Sequence, residues 1–200
     1  MINSIKSNYR DGDSFTKQSQ AEGYRSRSSL KLKEIQKKDK LIRKGMSVID
    51  LGSYPGGWSQ VSREIVTEKG SVVGVDIQKM KPIDGVQFIH KSIMDLKSED
   101  FQNNDLLFNI VLSDMAPNIS GVVDRDNALM IDLLEKVFFV VDNFLKSGGS
   151  SIIKVFQGES LEYTKSLLQK KFEIVKVRKP KSSRPNSNET YILGINFKQQ

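Results

Sequence analysis

A lysine stands inside the apolar run Ile152-Ile153-Lys154-Val155-Phe156. An ammonium there is costly unless it lies at a strand end or is paired. Burial and a neighbouring cation both lower a lysine pKa, and a lysine so shifted can act as a general base. The residues alone leave two readings open, a base or a strand-end lysine with its head in water. A second group is Asp50-Leu51-Gly52-Ser53-Tyr54-Pro55-Gly56-Gly57-Trp58, where a strand gives way to a helix. Glycines at such a turn let a ligand approach the main chain. The spacing is not that of a dinucleotide fingerprint, and Pro55 removes an N–H that a pyrophosphate would use, so a ligand without phosphates is expected. Asp76 ends the next apolar run, where a carboxylate commonly holds the ribose hydroxyls of an adenosine-containing cofactor; a loop or capping role is the plainer alternative. Ser113-Asp114-Met115-Ala116-Pro117-Asn118 ends a further strand, and a self-bonded Asx turn would also explain it. His90 reads as a polar strand end, Trp58 as packing against sheet or cofactor, and Phe138 and Phe139 as core.

The elements that must position these groups alternate. Ser28 or Ser29 can cap a basic helix running to about Lys40. Met46–Leu51 and Ser71–Asp76 read as buried strands, with a helix from Trp58 to about Glu68 between them, a βαβ unit with a glycine-rich first turn. Val86–Ile89 is a third strand, followed by a short helix near Ser98–Asn103. Leu106–Ser113 is a fourth strand, Asp126–Leu145 a long amphipathic helix, Ser150–Phe156 a fifth strand, and Leu161–Lys170 a helix. Phe172–Arg178 and Glu189–Phe197 are two last strands with no helix between them, so they should pair antiparallel at one edge. The pattern predicts an α/β fold, a mostly parallel sheet with helices on both faces. Residues 1–24 read as a polar arm without sustained periodicity, and residues 25–200 as a single domain.

Composition agrees with a globular chain: 38% of the residues are hydrophobic and 28% charged. No apolar run approaches the roughly 18 residues of a membrane helix, and the N-terminus has no apolar core of a secretory signal. The absence of cysteine rules out disulfides, thiol catalysis and thiolate metal sites. A single histidine cannot build a zinc site, so no metal is expected. A cytoplasmic location and a monomer fit best. Lys and Arg outnumber Asp and Glu by 12 to 5 over residues 1–44, fall behind 10 to 17 over 45–164, and lead 8 to 1 over 165–184. Should the fold bring the basic ends together, they form a positive face suited to a polyanion; two separate solvated lysine-rich surfaces are the alternative.

Taken together, Arg25–Ile35, the glycine-rich turn, Ser113–Asn118, Lys154-Val155-Phe156-Gln157-Gly158 and Lys176–Arg184 resemble, in order and over nearly the whole chain, the FtsJ/RrmJ-type ribosomal RNA 2′-O-methyltransferases, the bacterial large-subunit methyltransferase E family. The resemblance implies a Rossmann-like S-adenosylmethionine-dependent methyltransferase fold, a seven-stranded sheet whose last strand is antiparallel. It implies a Lys-Asp-Lys-Glu tetrad at Lys31, Asp114, Lys154 and Glu189. It also implies cofactor contacts at Gly56, Trp58, Asp76 and Asp114. Where relatives commonly carry an aspartate near the adenine, this chain has Ser92, with Asp95 close by. The implied substrate is a uridine of 23S ribosomal RNA, within the large subunit; transfer RNA or a messenger cap is the alternative target.

From this resemblance a mechanism follows. Lys154 takes the proton of the 2′-hydroxyl. Lys31 lowers the pKa of Lys154, Asp114 orients it, and Glu189 holds either Lys31 or a ribose hydroxyl. An ordinary lysine titrates near 10.4, so the role calls for a downward shift of roughly two or three units. The basic helix and Lys176–Arg184 grip phosphates. Base-nitrogen methylation is disfavoured because the Asp114-Met115-Ala116-Pro117 loop lacks an aromatic to stack a flipped base. A nicotinamide oxidoreductase conflicts with the glycine spacing and Pro55. A non-catalytic RNA-binding protein remains the third alternative.

Overall fold

In a computed structural model, residues 14–101, 107–118, 120–184 and 187–198 are described. Residues 14–21 form helix α1. There follow α2 (Ser28–Asp39), β1 (Ser47–Leu51), α3 (Gly57–Val66), β2 (Ser71–Asp76), β3 (Val86–His90) and β4 (Phe108–Ser113). The chain continues with α4 (Val123–Phe144), β5 (Leu145–Phe156), α5 (Glu159–Lys171), β6 (Phe172–Arg178) and β7 (Glu189–Phe197). The seven strands run in the order β3-β2-β1-β4-β5-β7-β6. β1 to β5 pair in parallel, and β7 is antiparallel to both β5 and β6. The expected hairpin is present; β7 lies inside it and β6 forms the edge.

Both faces of the sheet are covered, which is why its strands read as continuous apolar runs. Successive residues divide between two cores. Ile49, Val111, Ile153 and Ile192 join Met130, Leu134 and Phe138 of α4 and Leu168 of α5. Val48, Ile110, Ile152 and Tyr191 join Leu32 and Ile35 of α2 and Trp58 and Val61 of α3. By the same alternation Lys154 shares the α2 face with Ile152 and with its cross-strand partner Tyr191. The strand order reverses between β1 and β4, so the chains leaving their carboxyl ends diverge and open a crevice.

Four details differ from the sequence reading. The stretch read as an arm contains α1. Residues 1–13 lie outside the described residues, but Gly23, at φ 81°, ends this helix in the left-handed conformation, and Tyr24 is buried. The buried positions here are Ser19 within the helix and Tyr24 beyond it, which leaves no periodic apolar signal. Ser28 and Ser29 do not cap α2; they lie in its first turn, Arg27 is the cap, and no side chain bonds there. Burial of Leu30, Leu32 and Ile35, about 1.5–3 kcal/mol each, outweighs the roughly 1 kcal/mol of a missing cap. β5 begins at Leu145 because that residue pairs with Phe108 ahead of a register shift. Phe139 is 43% exposed whereas Phe138 is buried, since adjacent helical positions point about 100° apart.

Candidate active site

The carboxyl ends of β1, β2 and β4 carry Asp50, Asp76 and Asp114. Asp50 is fully buried; Ser59 donates to one of its oxygens at 2.6 Å, and the other has no partner among the described residues. Burial, opposed by the Ser59 bond and reinforced by Asp114 and Asp76, pushes its pKa up to about 7. Asp50 therefore feels the charge of Asp114 and Asp76 across the crevice, a field that favours a cationic ligand. The carboxylate of Asp76 accepts the main-chain N–H groups of Tyr54 at 2.8 Å and Gln78 at 2.7 Å. This ties the glycine-rich turn to the end of β2.

The glycines of that turn are required by space. Gly52 has φ 70°, and a Cβ on it would lie 2.1 Å from Cγ of Met115. Gly56 has φ 114°, and its Cβ would lie 2.6 Å from Cδ1 of Ile83. The turn thus packs against the Asp114–Asn118 segment on one side and the chain after β2 on the other. A negative crevice walled by main chain suits an adenosine bearing a positive charge, and the residues fit such a cofactor. Trp58 lies in the first turn of α3, directly after the glycine-rich turn. Its indole is buried, donates to the Ser28 carbonyl at 2.8 Å, and packs 5.6 Å from the Tyr191 ring. Of the two packing partners expected for the ring, sheet or cofactor, it takes the sheet side, and the main-chain N–H of Trp58 lies in the first turn of α3, where N–H groups lack helical partners. Ser92 caps a 3-10 turn over Ile93–Asp95 by accepting from the Met94 N–H, two residues beyond His90, which pairs with Asp76 across β2 and β3. Asp95 beside it is exposed.

The four tetrad residues converge. Lys154, 7% exposed, donates to the Asp114 carbonyl at 2.5 Å and lies 3.2 Å from the Asp114 carboxylate. Lys31, also 7% exposed, reaches from α2 to Glu189 at 2.7 Å. α2 lies flat on the sheet because Leu30, Leu32 and Ile35 are buried, and this places Lys31 5.8 Å above the Tyr191 ring. Burial alone would raise the pKa of Glu189. Lys31, through charge and hydrogen bond, and Lys154, through charge, outweigh it and hold the carboxyl below its ordinary range. Of the two partners expected for Glu189, Lys31 is in place.

Tyr191 was missed from sequence. Its phenol donates to Asp114 at 2.7 Å, and burial together with the Asp114 charge pushes its pKa well above 10, so it stays protonated. The one available signal was alternation, since Tyr191 lies two residues beyond Glu189 and shares its face. A cavity of about 800 Å³ opens beside the Lys31–Glu189 pair, lined by Arg27, Ala116, Asn127, Gln157 and Arg184 among others.

The two basic ends of the chain meet here. Asp39 at the end of α2 accepts from Arg178 at 2.7 and 2.8 Å and pairs with Lys176 at 3.4 Å. The carboxylate of Glu34 accepts the N–H groups of Lys181 and Ser182, and Arg27 donates to the Ser182 carbonyl. α2 and the 179–184 segment therefore form one surface around the cavity mouth. Among the described residues no group of three or more His, Cys, Asp and Glu side chains is placed to hold a metal ion, and no helix is long and apolar enough to cross a membrane.

A family model described as FtsJ-like methyltransferase matches residues 24–197. The chain is 45% identical over 195 residues to "Ribosomal RNA large subunit methyltransferase E" of Stutzerimonas stutzeri, covering 93% of this chain and 92% of that protein. It is 45% identical over 192 residues to the protein of the same name from Pseudomonas fluorescens, covering 93% and 90%. A crystal structure described as a ribosomal RNA methyltransferase from Plasmodium falciparum superposes with a TM-score of 0.77 at 29% identity, over 88% of this chain and 100% of that one.

Proposed function

Since this chain belongs to the FtsJ-like methyltransferase family, we propose that it transfers a methyl group from S-adenosylmethionine to the ribose 2′-hydroxyl of a uridine in 23S ribosomal RNA. The observation that carries this reading is the pairing of Lys154 with Asp114 and of Lys31 with Glu189 at the rim of one crevice. A base-modifying enzyme needs a stacking aromatic after Asp114, and Met115-Ala116-Pro117 offers none. The names of the relatives favour ribosomal RNA of the large subunit over transfer RNA or a cap.

When bound, S-adenosylmethionine supplies an electrophilic methyl on a positively charged sulfur. Gly56 and the first-turn N–H of Trp58 would approach the cofactor by main chain, Asp76 would hold its ribose hydroxyls, Ser92 would meet the adenine, and Asp114 would stand beside the methyl donor. Charge is cancelled rather than created in such a transfer, so positioning carries much of the rate. Lys154, aimed by the Asp114 carbonyl and carboxylate, removes the 2′-hydroxyl proton. Lys31, fixed by Glu189, holds a second cation beside the acceptor oxygen. Arg27 and Arg184 at the cavity mouth hold phosphates of the strand whose target nucleotide enters. The protein acts as a monomer in the cytoplasm.

The test is methyl transfer from labelled cofactor to ribosomal RNA of a strain lacking this protein, followed by alkaline hydrolysis. Label in an alkali-resistant dinucleotide at one uridine is the expected result. Label released in mononucleotides, or none on any ribosomal substrate, would refute the reading.

A further inference from the structure

Arg25 lies three residues before α2 and is spent on main-chain carbonyls. Its guanidinium donates to Lys81 O at 2.5 Å, Pro82 O at 2.6 Å and Pro55 O at 3.4 Å. Among the described residues no carboxylate pairs with it. Its own N–H donates to the Gln60 side chain at 2.9 Å, and the Gln60 amide returns to Gly23 O, so residues 23–25 ride on α3. Pro55 belongs to the glycine-rich turn; Lys81 and Pro82 belong to the segment between Asp76 and β3. That segment lies directly on Gly56: a Cβ there would be 2.9 Å from the Met80 sulfur and 3.3 Å from Cδ of Arg25. Residues 77–85 contain no helix or strand. Among the described residues, their hydrogen bonds to the body of the protein include those of Arg25, the His90 contact to Ile77 O and the Gln78 N–H to the Asp76 carboxylate.

We propose that Arg25 is a positioning residue that clamps the two walls of the cofactor crevice, and that through it the RNA-gripping helix α2 and the cofactor site are energetically coupled. The proposal rests on reading the crevice as the seat of S-adenosylmethionine. Three carbonyls from two segments converge on one rigid guanidinium, a task its planar fork performs and a lysine ammonium cannot reproduce. The first residue of α2 is tied to α3 as well, since the Ser28 carbonyl accepts from the Trp58 indole, so the start of α2, residues 23–25 and the chain beside Asp76 are joined through α3 and Arg25. By reciprocity, cofactor bound against that chain favours the RNA-bound position of α2.

The experiment is calorimetric titration with S-adenosylhomocysteine of the wild type, Arg25→Ala and Arg25→Lys, combined with RNA binding across a salt series and amide hydrogen exchange over residues 78–84. Arg25→Ala should weaken S-adenosylhomocysteine about tenfold, the scale of one charge-assisted hydrogen bond lost from a site. Arg25→Lys should fall between. Exchange over 78–84 should accelerate in both, and turnover at saturating cofactor should stay within about twofold of wild type, a KM effect rather than a kcat effect. In wild type S-adenosylhomocysteine should tighten RNA binding, and in Arg25→Ala it should not. Unchanged S-adenosylhomocysteine affinity in either variant overturns the proposal. So does a reduced salt slope for RNA with cofactor affinity intact, which would make Arg25 a phosphate contact instead. Should Arg25→Ala not fold, the lysine variant decides alone. A wild type that binds no S-adenosylhomocysteine would instead remove the functional reading, and the exchange data would still report whether Arg25 holds the segment.

Discussion

The Tyr191 phenol donates a 2.7 Å hydrogen bond to the same Asp114 carboxylate that lies 3.2 Å from Lys154, and Tyr191 is the direct cross-strand partner of that lysine. Asp114 is thus held from two sides by β5 and β7. Tyr191→Phe removes one support and leaves the carbonyl and carboxylate contacts of Lys154 in place. It should cost about 1.5–3 kcal/mol of stability, the range for a hydrogen bond to a charged group. Turnover should fall less than in any variant of Lys154. Chemical denaturation and single-turnover methylation of the one protein check both.

Lys154→Ala should lower single-turnover methylation by about 10²- to 10⁴-fold, the span of a lost general base. Lys154→Arg should not restore it, because a guanidinium stays protonated. Near-wild-type methylation by either variant would exclude Lys154 as the base.

Asp50 gives stability a pH dependence of unusual sign. Its folded pKa, about 7, lies above the ordinary 3.8, so the folded state binds a proton that the unfolded state has released between those values. Stability contributed by Asp50 is complete below about pH 4 and lost as pH rises toward 7. Glu189 and Asp39 act oppositely: their folded pKa values are lowered, so their contribution is present above the ordinary carboxylate range and lost as pH falls below it. For Asp39 the leading cause is the Arg178 hydrogen bond. The melting temperature of wild type should decline between about pH 5 and pH 7, and Asp50→Asn should flatten that decline. An equal decline in the variant would assign it elsewhere.

Asp39 joins α2 to β6 through Arg178, and its side chain is only 2% exposed. Asp39→Ala should destabilise by about 3 kcal/mol, the lower end for breaking a buried pair, since Arg178 keeps some solvent. RNA affinity should fall with it, as the two basic segments lose their common anchor. Urea unfolding and filter binding at one salt concentration measure the two effects.

RNA affinity should drop steeply with salt, with a log–log slope of roughly −0.7 per phosphate contact on a single strand. Arg27→Ala and Arg184→Ala should each lower the slope by about one contact. A flat salt dependence in wild type would contradict the positive surface formed by α2 and the 179–184 segment.

Element types were legible because burial on both faces of a parallel sheet leaves apolar runs, and glycines mark where those runs turn. Both pairs of the tetrad span distant sequence, 31 with 189 and 114 with 154; only the family resemblance pointed to Lys31 and Glu189. Lys154 and Asp50 announce themselves as ionisable groups in apolar strands, a conflict visible in one dimension. Their partners are not visible there, because a hydrogen bond between β7 and the end of β4 depends on a strand order that residue types do not encode locally. The same holds for Trp58, whose ring the βαβ pattern leaves free to face cofactor or core until α2 covers it. Sequence by itself determined the kinds of element and the chemistry available at each strand end. Tertiary structure decided which charge meets which, because electrostatic and hydrogen-bond energies depend on separations in space that folding alone creates.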